Sequence, residues 1–449
     1  MNKFDLIVVG AGTAGALAAR TAAELGLKVG LLDSKTKSDV GDKVCGDAVG
    51  KYHFDRLGIS PPQGEELAGD IRGVDIYSPD MQTVFRCESE GLYGFIINRR
   101  EFGQRLLREA LDAGAELFDK AQAVNLIMKD NFVKGVEVKS NNDKYDVFGG
   151  IIIDASGFLT VLRRQLPKDW GVEAEVDEED VTACYREIRQ LSSDVEDEDY
   201  CKIYMNPEAA PGGYYWIFPK GKDKVNVGLG VQMVKGFKNP KRQLYGYVIN
   251  QPLFKDSKLL AGGGGVVPTR RSIGSMVGNG IMFVGDAACQ PNPIHGGGIG
   301  PSMEAGKTAS QVTSKAIEKG DVSSKGLWAY NVEFMKLYGA KAAGLDIFRI
   351  FLQKCGADDL NYGMKHRLVK EEDILKASIG EDLKLNITDA AQRVFRGLRK
   401  LPFLRALRTT AHNMKDIKSL YRNYPRQQDF DEWLGKVNVI VREMKSLTF

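Results

Sequence analysis

A cysteine in a polar, glycine-rich loop near the start of the chain is the first candidate for chemistry. The loop runs from Lys43 to Ala48 with the sequence K-V-C-G-D-A, and Cys45 stands at its centre. A nearby cation such as Lys43, or a helix N-terminus, favours the reactive thiolate form of a cysteine. Glycines on both sides let the backbone lie close to a ligand. Two interpretations of Cys45 stay open, a reactive thiol beside a ligand and a small buried side chain.

The strongest binding signal lies just before this loop. Gly10, Gly12 and Gly15 form the pattern G-x-G-x-x-G directly after an apolar run at residues 6–9. In such a turn the first glycine permits the sharp bend, the second lets the backbone approach a pyrophosphate, and the third lets a helix pack close to the strand. The helix N-terminus then offers amide groups and a partial positive charge to phosphates.

The elements predicted around these glycines agree with a phosphate-binding turn. An alanine-rich helix is predicted over residues 14–25 and a second buried strand over 29–32. Asp33 closes the second strand, 23 residues after Gly10. An acid at that point can accept a hydrogen bond from the ribose of an adenosine. The stretch therefore predicts a βαβ unit that binds a dinucleotide, and the alternative is an ordinary βαβ turn.

A second glycine-rich stretch has a similar organisation. A buried strand is predicted at 281–284, followed by Gly-Asp-Ala-Ala, a loop rich in proline and glycine, and a helix from about Ile299. This order places Asp286 beside a bound polyol and the amides of residues 296–300 at a helix N-terminus. Arg99 stands at another strand-to-helix junction, where it either reaches a cofactor phosphate or lies on the surface.

A stripe of aromatic residues marks a different region. A hairpin is predicted with strands at 213–218 and 225–232. Tyr214, Trp216 and Phe218 alternate along its first strand, so all three point to one face of the sheet. The stripe is either part of a core or one wall of a wide apolar cleft.

Composition limits the class of protein. The 449 residues are 43% apolar and 27% charged with a net charge of +3, which describes a globular protein and gives no indication of nucleic-acid binding. We find no secretory signal and no apolar run of bilayer length. The six cysteines are widely spaced without a C-x-x-C pair, which favours a reducing cytoplasm or a redox role over a disulfide framework, although one internal bridge is left open.

Charge is unevenly distributed along the chain. Residues 165–200 are acidic and are predicted to be irregular, with the run at 177–180 on a solvated face. From Gly326 onward the pattern is helical, and residues 391–449 carry a net charge of +8. The basic residues Arg393, Arg396, Arg399 and Lys400 fall close together there. Two interpretations of this tail stay open, a solvated basic face and a segment that contacts anionic lipid.

Together these motifs resemble a known group of flavoproteins. The first glycine turn with Asp33, the strand end at 154–157 and the GDAA–PxxxxGGGI stretch resemble the p-hydroxybenzoate hydroxylase superfamily. Within it, the K-V-C-G-D-A loop and the pattern Y-x-W-x-F-P-x8-G-x-G from Tyr214 to Gly230 are similar to geranylgeranyl reductases. The closest resemblance is to the archaeal digeranylgeranylglycerophospholipid reductases. It covers roughly residues 1–320, and the helical tail matches only in character.

The resemblance implies a fold, a cofactor and its contacts. The fold class is α/β plus α+β, with a Rossmann-type FAD-binding domain interrupted by an antiparallel-sheet substrate domain and followed by a helical C-terminal region. The implied domain limits are 1–50, 96–163 and 266–318 for FAD, 51–95 and 164–265 for the substrate, and 319–449 for the helices. Besides the three motif glycines, the implied FAD contacts are Ala14, Asp33, Cys45, Gly46, Ala48, Arg99, Ala123, Asp286, Gly298 and Ile299. Asp33 departs from the family, where glutamate is more usual, but either carboxylate can serve the ribose.

The implied activity is reduction of the isolated double bonds of geranylgeranyl chains in archaeal-type ether lipids. Such an alkene needs a proton as well as a hydride, and we expect Cys45 to support the proton transfer. We expect Tyr214, Trp216 and Phe218 to line the cleft for the chain. His53, Lys336 and Tyr338 are our candidates for its phosphate, and no metal is expected.

The absence of a second dinucleotide motif in the sequence favours an external electron donor such as a ferredoxin. We expect a cytoplasmic protein that associates peripherally with the membrane. Two rivals stay open, a flavin-dependent aromatic or polyprenyl monooxygenase and a non-enzymatic prenyl-binding escort protein. Halogenases share the flavin fold but carry W-x-W-x-I-P, where this chain has Tyr214 and Phe218 in place of the first Trp and the Ile.

Overall fold

The structure is a computed structural model that describes residues 3–141, 143–372 and 400–449. The basic residues Arg393, Arg396 and Arg399 of the predicted lipid-contacting tail lie outside the described residues. The strands are β1 (Lys3–Val9), β2 (Val29–Leu32), β3 (Ala48–Gly50), β4 (Leu67–Ile71), β5 (Gly73–Tyr77), β6 (Val84–Glu88), β7 (Gly94–Ile97), β8 (Glu116–Phe118), β9 (Gln122–Lys129), β10 (Phe132–Ser140), β11 (Asp143–Asp154), β12 (Val181–Gln190), β13 (Tyr200–Tyr204), β14 (Tyr215–Pro219), β15 (Lys224–Gln232), β16 (Lys258–Pro268), β17 (Val277–Gly278) and β18 (Ile281–Phe283). The helices are α1 (Thr13–Glu24), α2 (Lys51–Leu57), α3 (Arg99–Asp112), α4 (Pro240–Leu244), α5 (Ile299–Glu318), α6 (Ser324–Phe334), α7 (Ala340–Lys354), α8 (Ala357–Lys365), α9 (Leu401–Arg422) and α10 (Phe430–Ser446).

The first sheet holds the two glycine-rich turns. Its strands follow the order β17-β18-β11-β1-β2-β8, and β1 pairs in parallel with β2 and β11. Val9 lies opposite Asp154 on one side and Leu32 on the other, so the carboxyl ends of the three strands meet at one edge. Ligands of open α/β sheets bind outside such an edge. The hairpin of β9 and β10 extends the sheet as an antiparallel excursion from β11.

The second sheet has seven strands in the order β16-β12-β15-β14-β13-β5-β6. Its neighbours are antiparallel except β5 and β13, which are parallel. A small third sheet joins β3, β7 and β4 and carries the Cys45 loop toward the second sheet. The predicted fold class, a Rossmann-type unit combined with an antiparallel sheet and C-terminal helices, is confirmed.

One predicted irregular segment is in fact a central strand. Residues 181–190 form β12, which pairs with β15 on one side and β16 on the other. The hydrophobicity pattern does not indicate this strand, because it contains charged residues. Glu187 and Arg189 are nevertheless buried, as an ion pair of 2.7 Å. The acidic run at 177–180 is likewise not simply solvated, since Asp180 is 2% exposed and accepts a hydrogen bond from Arg349 of α7.

The C-terminal helices share the hydrophobic core of the first sheet. Phe351, Phe403, Tyr421 and Trp433 belong to the same buried cluster as the strands β1, β11 and β18. The limits drawn between the three domains therefore stay a prediction. Across the described ranges, every helix is too short or too polar to cross a lipid bilayer.

Candidate active site

The first glycine turn is shaped by close backbone contacts. Gly10 has φ of +99°, which favours glycine, and a Cβ there would lie 2.5 Å from the carbonyl oxygen of Ala155. A Cβ on Gly15 would lie 1.7 Å from the carbonyl oxygen of Gly10. Gly12 differs, because a Cβ there would meet no protein atom within 4 Å, and no side chain caps the helix that it begins. Two glycines thus serve packing, while the third leaves open space in front of a helix N-terminus.

Asp33 is held rigidly at the end of β2. Its carboxylate accepts hydrogen bonds from the backbone amides of Ala11 at 2.7 Å and Lys35 at 2.8 Å. The backbone of Asp33 also accepts a bond from Ala121, which brings the start of β9, with Ala123, to the same place. The predicted ribose contact and Ala123 therefore lie at the same edge of the sheet.

The second glycine stretch closes over the first. Asp286 lies in a 3-10 turn, and a Cβ on Gly298 would lie 3.4 Å from its Oδ1 atom. Gly285 faces Ala14: a Cβ added to Gly285 would lie 3.3 Å from the Cβ of Ala14. Ile299 begins α5, which has no side-chain cap. The structure thus brings Ala14 of the first glycine turn next to the 285–299 stretch, which lies far from it in sequence.

Among the described residues, Lys43 is the only side chain that forms an ion pair with Asp286, at 2.8 Å. The carboxylate of Asp286 raises the pKa of Lys43, so Lys43 is charged at neutral pH. A ligand with hydroxyl groups would insert into or replace this contact. Lys43 also places a cation at the mouth of the Cys45 loop.

Arg99 is buried with unused hydrogen-bonding capacity. It is 8% exposed, and its Nε and Nη1 atoms have no partner among the described residues. Together with Arg186 and Lys220 it lines a cavity of about 470 Å³, which is also lined by the carboxylates of Asp42, Asp47, Glu65 and Glu101. A buried guanidinium without an acceptor is costly, so this arrangement fits an anionic ligand such as a phosphate.

A buried polar network fixes the Cys45 loop. Asn226 of β15 donates to the carbonyl oxygen of Cys45 at 2.8 Å and to the carboxylate of Asp47 at 2.9 Å. Arg186 also donates to the carbonyl of Cys45, at 3.2 Å, and Lys220 donates to Asp47 at 3.0 Å. The network was not foreseen from sequence, although Asn226 and Lys220 stand in the x8 spacer of the Y-x-W-x-F-P motif and Asp47 in the K-V-C-G-D-A loop.

The thiol of Cys45 is half-buried and packs against the apolar cluster that contains Ile299. All six cysteines are free, so the internal bridge that the sequence left open is not formed here. The side chain of Cys184 lies in the same neighbourhood, and burial raises its pKa to about 12. Cys184 is therefore an inert thiol, whereas Cys45 borders the cleft.

The aromatic stripe lies against both loops. Trp216 donates from Nε1 to Asn226 at 3.0 Å, and Tyr214 donates to the carbonyl of His295 at 2.9 Å. Phe218 packs on Gly46, whose added Cβ would lie 3.3 Å from the ring. Trp216 and Phe218 are 7% and 9% exposed. Trp216 and Phe218 belong to a buried cluster with Ile71 and Ile96, so this part of the stripe is core, and its role as a wall of the cleft stays a prediction.

The candidates for a phosphate group are only partly brought together. His53 is buried on α2, and its Nδ1 lies 2.6 Å from the carboxylate of Glu304. Burial lowers the pKa of His53 even though Glu304 opposes the shift. Tyr338 lies nearby, since Lys341 is within 6 Å of the rings of both Tyr52 and Tyr338.

Lys336 is exposed and has no described contact with this cluster. Lys341, five residues later, is the lysine that faces it, and burial lowers its pKa to about 8. The sequence pattern did not indicate which face of this helical segment is buried, because a one-turn π-helix at Met335–Gly339 shifts the helical phase.

Three observations fit a bound dinucleotide with a polyol arm, as in FAD. Gly12 leaves a space that a Cβ would enter, Arg99 has unsatisfied buried donors, and Asp286 stands beside an uncapped helix. Bound there, FAD would be held by Asp33 at its ribose, by Arg99 at a phosphate and by Asp286 at its polyol. Ala48 lies in β3, paired with Ile96, beside the same edge.

Comparison with known proteins gives the family. Residues 180–267 match the family model of the geranylgeranyl reductase catalytic domain, and residues 5–58 match that of glucose inhibited division protein A. The chain is 44% identical over 451 aligned residues to a digeranylgeranylglycerophospholipid reductase of Sulfolobus acidocaldarius, with 99% of each chain covered. A reductase of the same name, numbered 2, from Methanococcoides burtonii is 36% identical over 73% of this chain and 79% of its own length.

Solved structures agree with this assignment. A geranylgeranyl bacteriochlorophyll reductase-like protein of Thermoplasma acidophilum superimposes with a TM-score of 0.77 at 26% identity, covering 91% of this chain and all of its own. The flavin-dependent brominase Bmp2 superimposes with a TM-score of 0.64 at 18% identity, covering 89% of this chain and 98% of its own, which shows a shared fold alone. With end-to-end identity of 44% to one reductase and a matching catalytic-domain model, the chain belongs to the digeranylgeranylglycerophospholipid reductase family.

Proposed function

We propose that the chain is an FAD-dependent oxidoreductase that saturates the isolated double bonds of geranylgeranyl chains in archaeal-type ether phospholipids. The observation that carries this proposal is the position of the Cys45 loop, which lies between the cofactor turns and the aromatic stripe and is fixed there by Asn226. The family to which the chain belongs supports the same activity.

The chemistry of the substrate defines what the residues must do. An isolated trisubstituted alkene has no carbonyl to polarise it, so a proton must reach the less substituted carbon as a hydride reaches the tertiary carbon. Reduced FAD, when bound, supplies the hydride. Cys45 supports the proton transfer as the donor or by ordering a water, which requires a distance of about 3 Å. Trp216 and Phe218 stabilise positive charge on the tertiary carbon, by roughly 0.5–2 kcal/mol through cation–π attraction.

The substrate would lie across two parts of the site. Its apolar chain follows the wall formed by Tyr214, Trp216 and Phe218. Lys341 lies between the rings of Tyr52 and Tyr338 beside His53, and we propose it as a phosphate contact together with His53 and Tyr338. Lys336 stays a candidate from sequence only.

Each saturated bond consumes two electrons, so an external donor must reduce the cofactor again. We propose a ferredoxin or another small reductant, because the sequence carries one dinucleotide motif. We also propose that the protein is cytoplasmic and contacts the membrane peripherally, since its substrate is a membrane lipid.

Single-turnover kinetics tests the activity and the role of Cys45. The flavin is reduced without oxygen, a geranylgeranyl lipid is added, and reoxidation and product mass are followed. We expect stoichiometric reoxidation with a product heavier by two hydrogen atoms per bond. Cys45→Ala should slow reoxidation by lipid while leaving flavin binding unchanged, and Cys45→Ser should be intermediate.

Wild-type rates in both variants would remove Cys45 from the chemistry. A product that gains oxygen, formed with uptake of dioxygen, would instead indicate a monooxygenase. A purified protein that binds prenyl lipid but no flavin would indicate an escort protein.

A further inference from the structure

Residues 234–260 form a segment that covers the outer face of the second sheet, and we call it the cover segment. It connects β15 to β16 and contains α4, a π-helical turn at Tyr245–Ile249 and a 3-10 turn at Pro252–Phe254. Leu244, Val248 and Phe254 are buried against β14 and β15. The cover segment is therefore a single layer, with one side on the sheet and the other toward solvent.

The solvent side of the cover segment is unusually apolar. Seven large apolar side chains on it are 36–50% exposed, out of nineteen such exposed residues in the described ranges. They are Val234, Phe237, Tyr245, Tyr247, Leu253, Leu259 and Leu260. Single exposed apolar residues are ordinary, but seven of them within the 27 residues of one segment indicate an interaction surface, although the hydroxyl of Tyr245 turns inward to the buried Glu187.

The same side carries a strong positive charge. Its cations are Lys235, Lys238, Lys241, Arg242, Lys255 and Lys258, against the single carboxylate of Asp256. All six are exposed, and within the described residues none forms an ion pair. A net charge of +5 beside exposed leucines and aromatic rings is the composition of an interfacial membrane segment.

We propose that the cover segment docks the protein on an anionic lipid bilayer. This inference rests on the proposed function, which requires access to membrane lipids. The cations would bind lipid phosphates while Phe237, Tyr247 and Leu253 enter the interface. An acidic protein would match the charge, but it would not account for the exposed leucines.

The edge of the sheet connects this surface with the active site. β16 begins at Lys258 inside the cover segment and continues as an exposed edge strand. Farther along it, an added Cβ on Gly263 would lie 2.6 Å from Cγ2 of Val44, in the Cys45 loop. A lipid chain leaving the bilayer at Leu259 and Leu260 would thus follow a strand bare of side chains to the cleft.

The C-terminal helices offer a weaker surface. Their large exposed apolar residues in the described part are Val332, Leu337, Leu401 and Val439, which are spread over more than 100 residues of the chain. Lys400 is paired with Asp359, and Lys436 with Glu432. Lys445 contacts Asp177, so part of the basic charge of the tail is used inside the protein.

Co-sedimentation of the full-length protein with vesicles tests the proposal. The vesicles contain phosphatidylglycerol and phosphatidylcholine in equal parts. Lys235→Glu/Lys238→Glu/Lys258→Glu should lower the partition coefficient by about tenfold or more, because each cation near an anionic surface contributes substantially. The matched control Lys129→Glu/Lys139→Glu/Lys319→Glu changes the net charge equally on exposed residues elsewhere and should change partition by less than about twofold. Phe237→Ser/Tyr247→Ser should weaken the binding that persists in high salt.

Equal losses in the two lysine triples would overturn the proposal, since net charge alone would then explain binding. The proposal would also fail if only Arg405→Glu/Arg408→Glu/Lys415→Glu on α9 lost vesicle binding. It would fail as well if the cover segment bound an acidic ferredoxin but no vesicle. Reoxidation by detergent-dispersed lipid should stay at the wild-type rate in the cover-segment triple. If the wild type reduces neither dispersed nor vesicle-bound lipid, the proposed activity fails, and the sedimentation result still decides the docking surface.

Discussion

The two sides of the active site are built by different means. On the cofactor side, glycines, strand ends and helix N-termini present backbone groups, and the motifs lie within short stretches around Gly10 and Asp286. On the substrate side, a buried network of side chains from distant segments fixes the loop of Cys45 against Trp216. Backbone geometry is specified locally, whereas a side-chain network exists only after the sheets have packed. Substitutions should therefore affect the two sides in separable ways.

Substitutions in the first glycine turn should have the largest effect on stability and FAD binding, and two glycines of the same turn can be compared with each other. Gly15→Ala places a methyl group on the carbonyl of Gly10, so we expect a loss of about 3 kcal/mol in the free energy of unfolding and loss of FAD. Gly12→Ala meets no protein atom and should change stability by less than about 1 kcal/mol, while blocking the dinucleotide. Denaturant unfolding and flavin content measure the two effects. A Gly12→Ala protein that retains full flavin would refute the assignment of this turn.

Asp286→Ala tests the second turn. Loss of charged hydrogen bonds to the polyol should weaken FAD binding by about tenfold or more, measured by titration of the apoprotein. Lys43→Met is the control, because it removes the partner of Asp286 but keeps the carboxylate. Full occupancy and an unchanged absorption spectrum in Asp286→Ala would contradict its role.

Asn226→Ala tests the substrate side. It leaves Trp216 Nε1 without its acceptor and removes a donor from both Cys45 and Asp47, so we expect a loss of about 2 kcal/mol in the free energy of unfolding. FAD affinity should change little, while reoxidation by lipid slows. Trp216→Phe removes only one of these bonds and should be milder. If Asn226→Ala loses as much FAD as Gly12→Ala, the cofactor side and the substrate side of the site are not separable.

Lys341 should give the smallest effect, visible as a pH dependence. Its pKa is lowered to about 8 by burial, so it loses its charge as the pH rises through that value. Affinity for a phospholipid substrate should then fall by several-fold, and Lys341→Met should abolish this dependence.

The free energy of unfolding should change in the opposite direction from substrate affinity as the pH rises. Between pH 8 and about 10.4, the unfolded lysine binds more protons than the folded one, so the free energy of unfolding of the free protein rises with pH. Lys336→Met is the control, because that side chain is exposed. If Lys336→Met abolishes the pH dependence and Lys341→Met keeps it, the phosphate contact is Lys336, the residue expected from the sequence.

The helical tail shows where sequence patterns were insufficient. The periodicity after Gly326 correctly predicts helices, but it named Lys336, which is exposed, and did not identify Lys341, which lies beside Tyr338. The π-helix at Met335–Gly339 changes the helical phase between them. The irregular segment predicted over 165–200 failed for a related reason. β12 carries Arg186, Glu187 and Arg189, and each of these buried residues has a hydrogen-bond partner on another segment. The partners are Cys45, Tyr245 and Ser257, respectively.

The sequence by itself determined the cofactor turns, since a G-x-G-x-x-G between a strand and a helix needs only local backbone geometry to form. It also determined the strand that carries Trp216 and Phe218, because alternation alone places them on one face, although Tyr214 lies just before that strand. Only the tertiary structure decided what that face meets. Asn226, Asp47, Arg186 and Lys220 come from distant positions, and a buried polar group is stable only where folding supplies its hydrogen-bond partner.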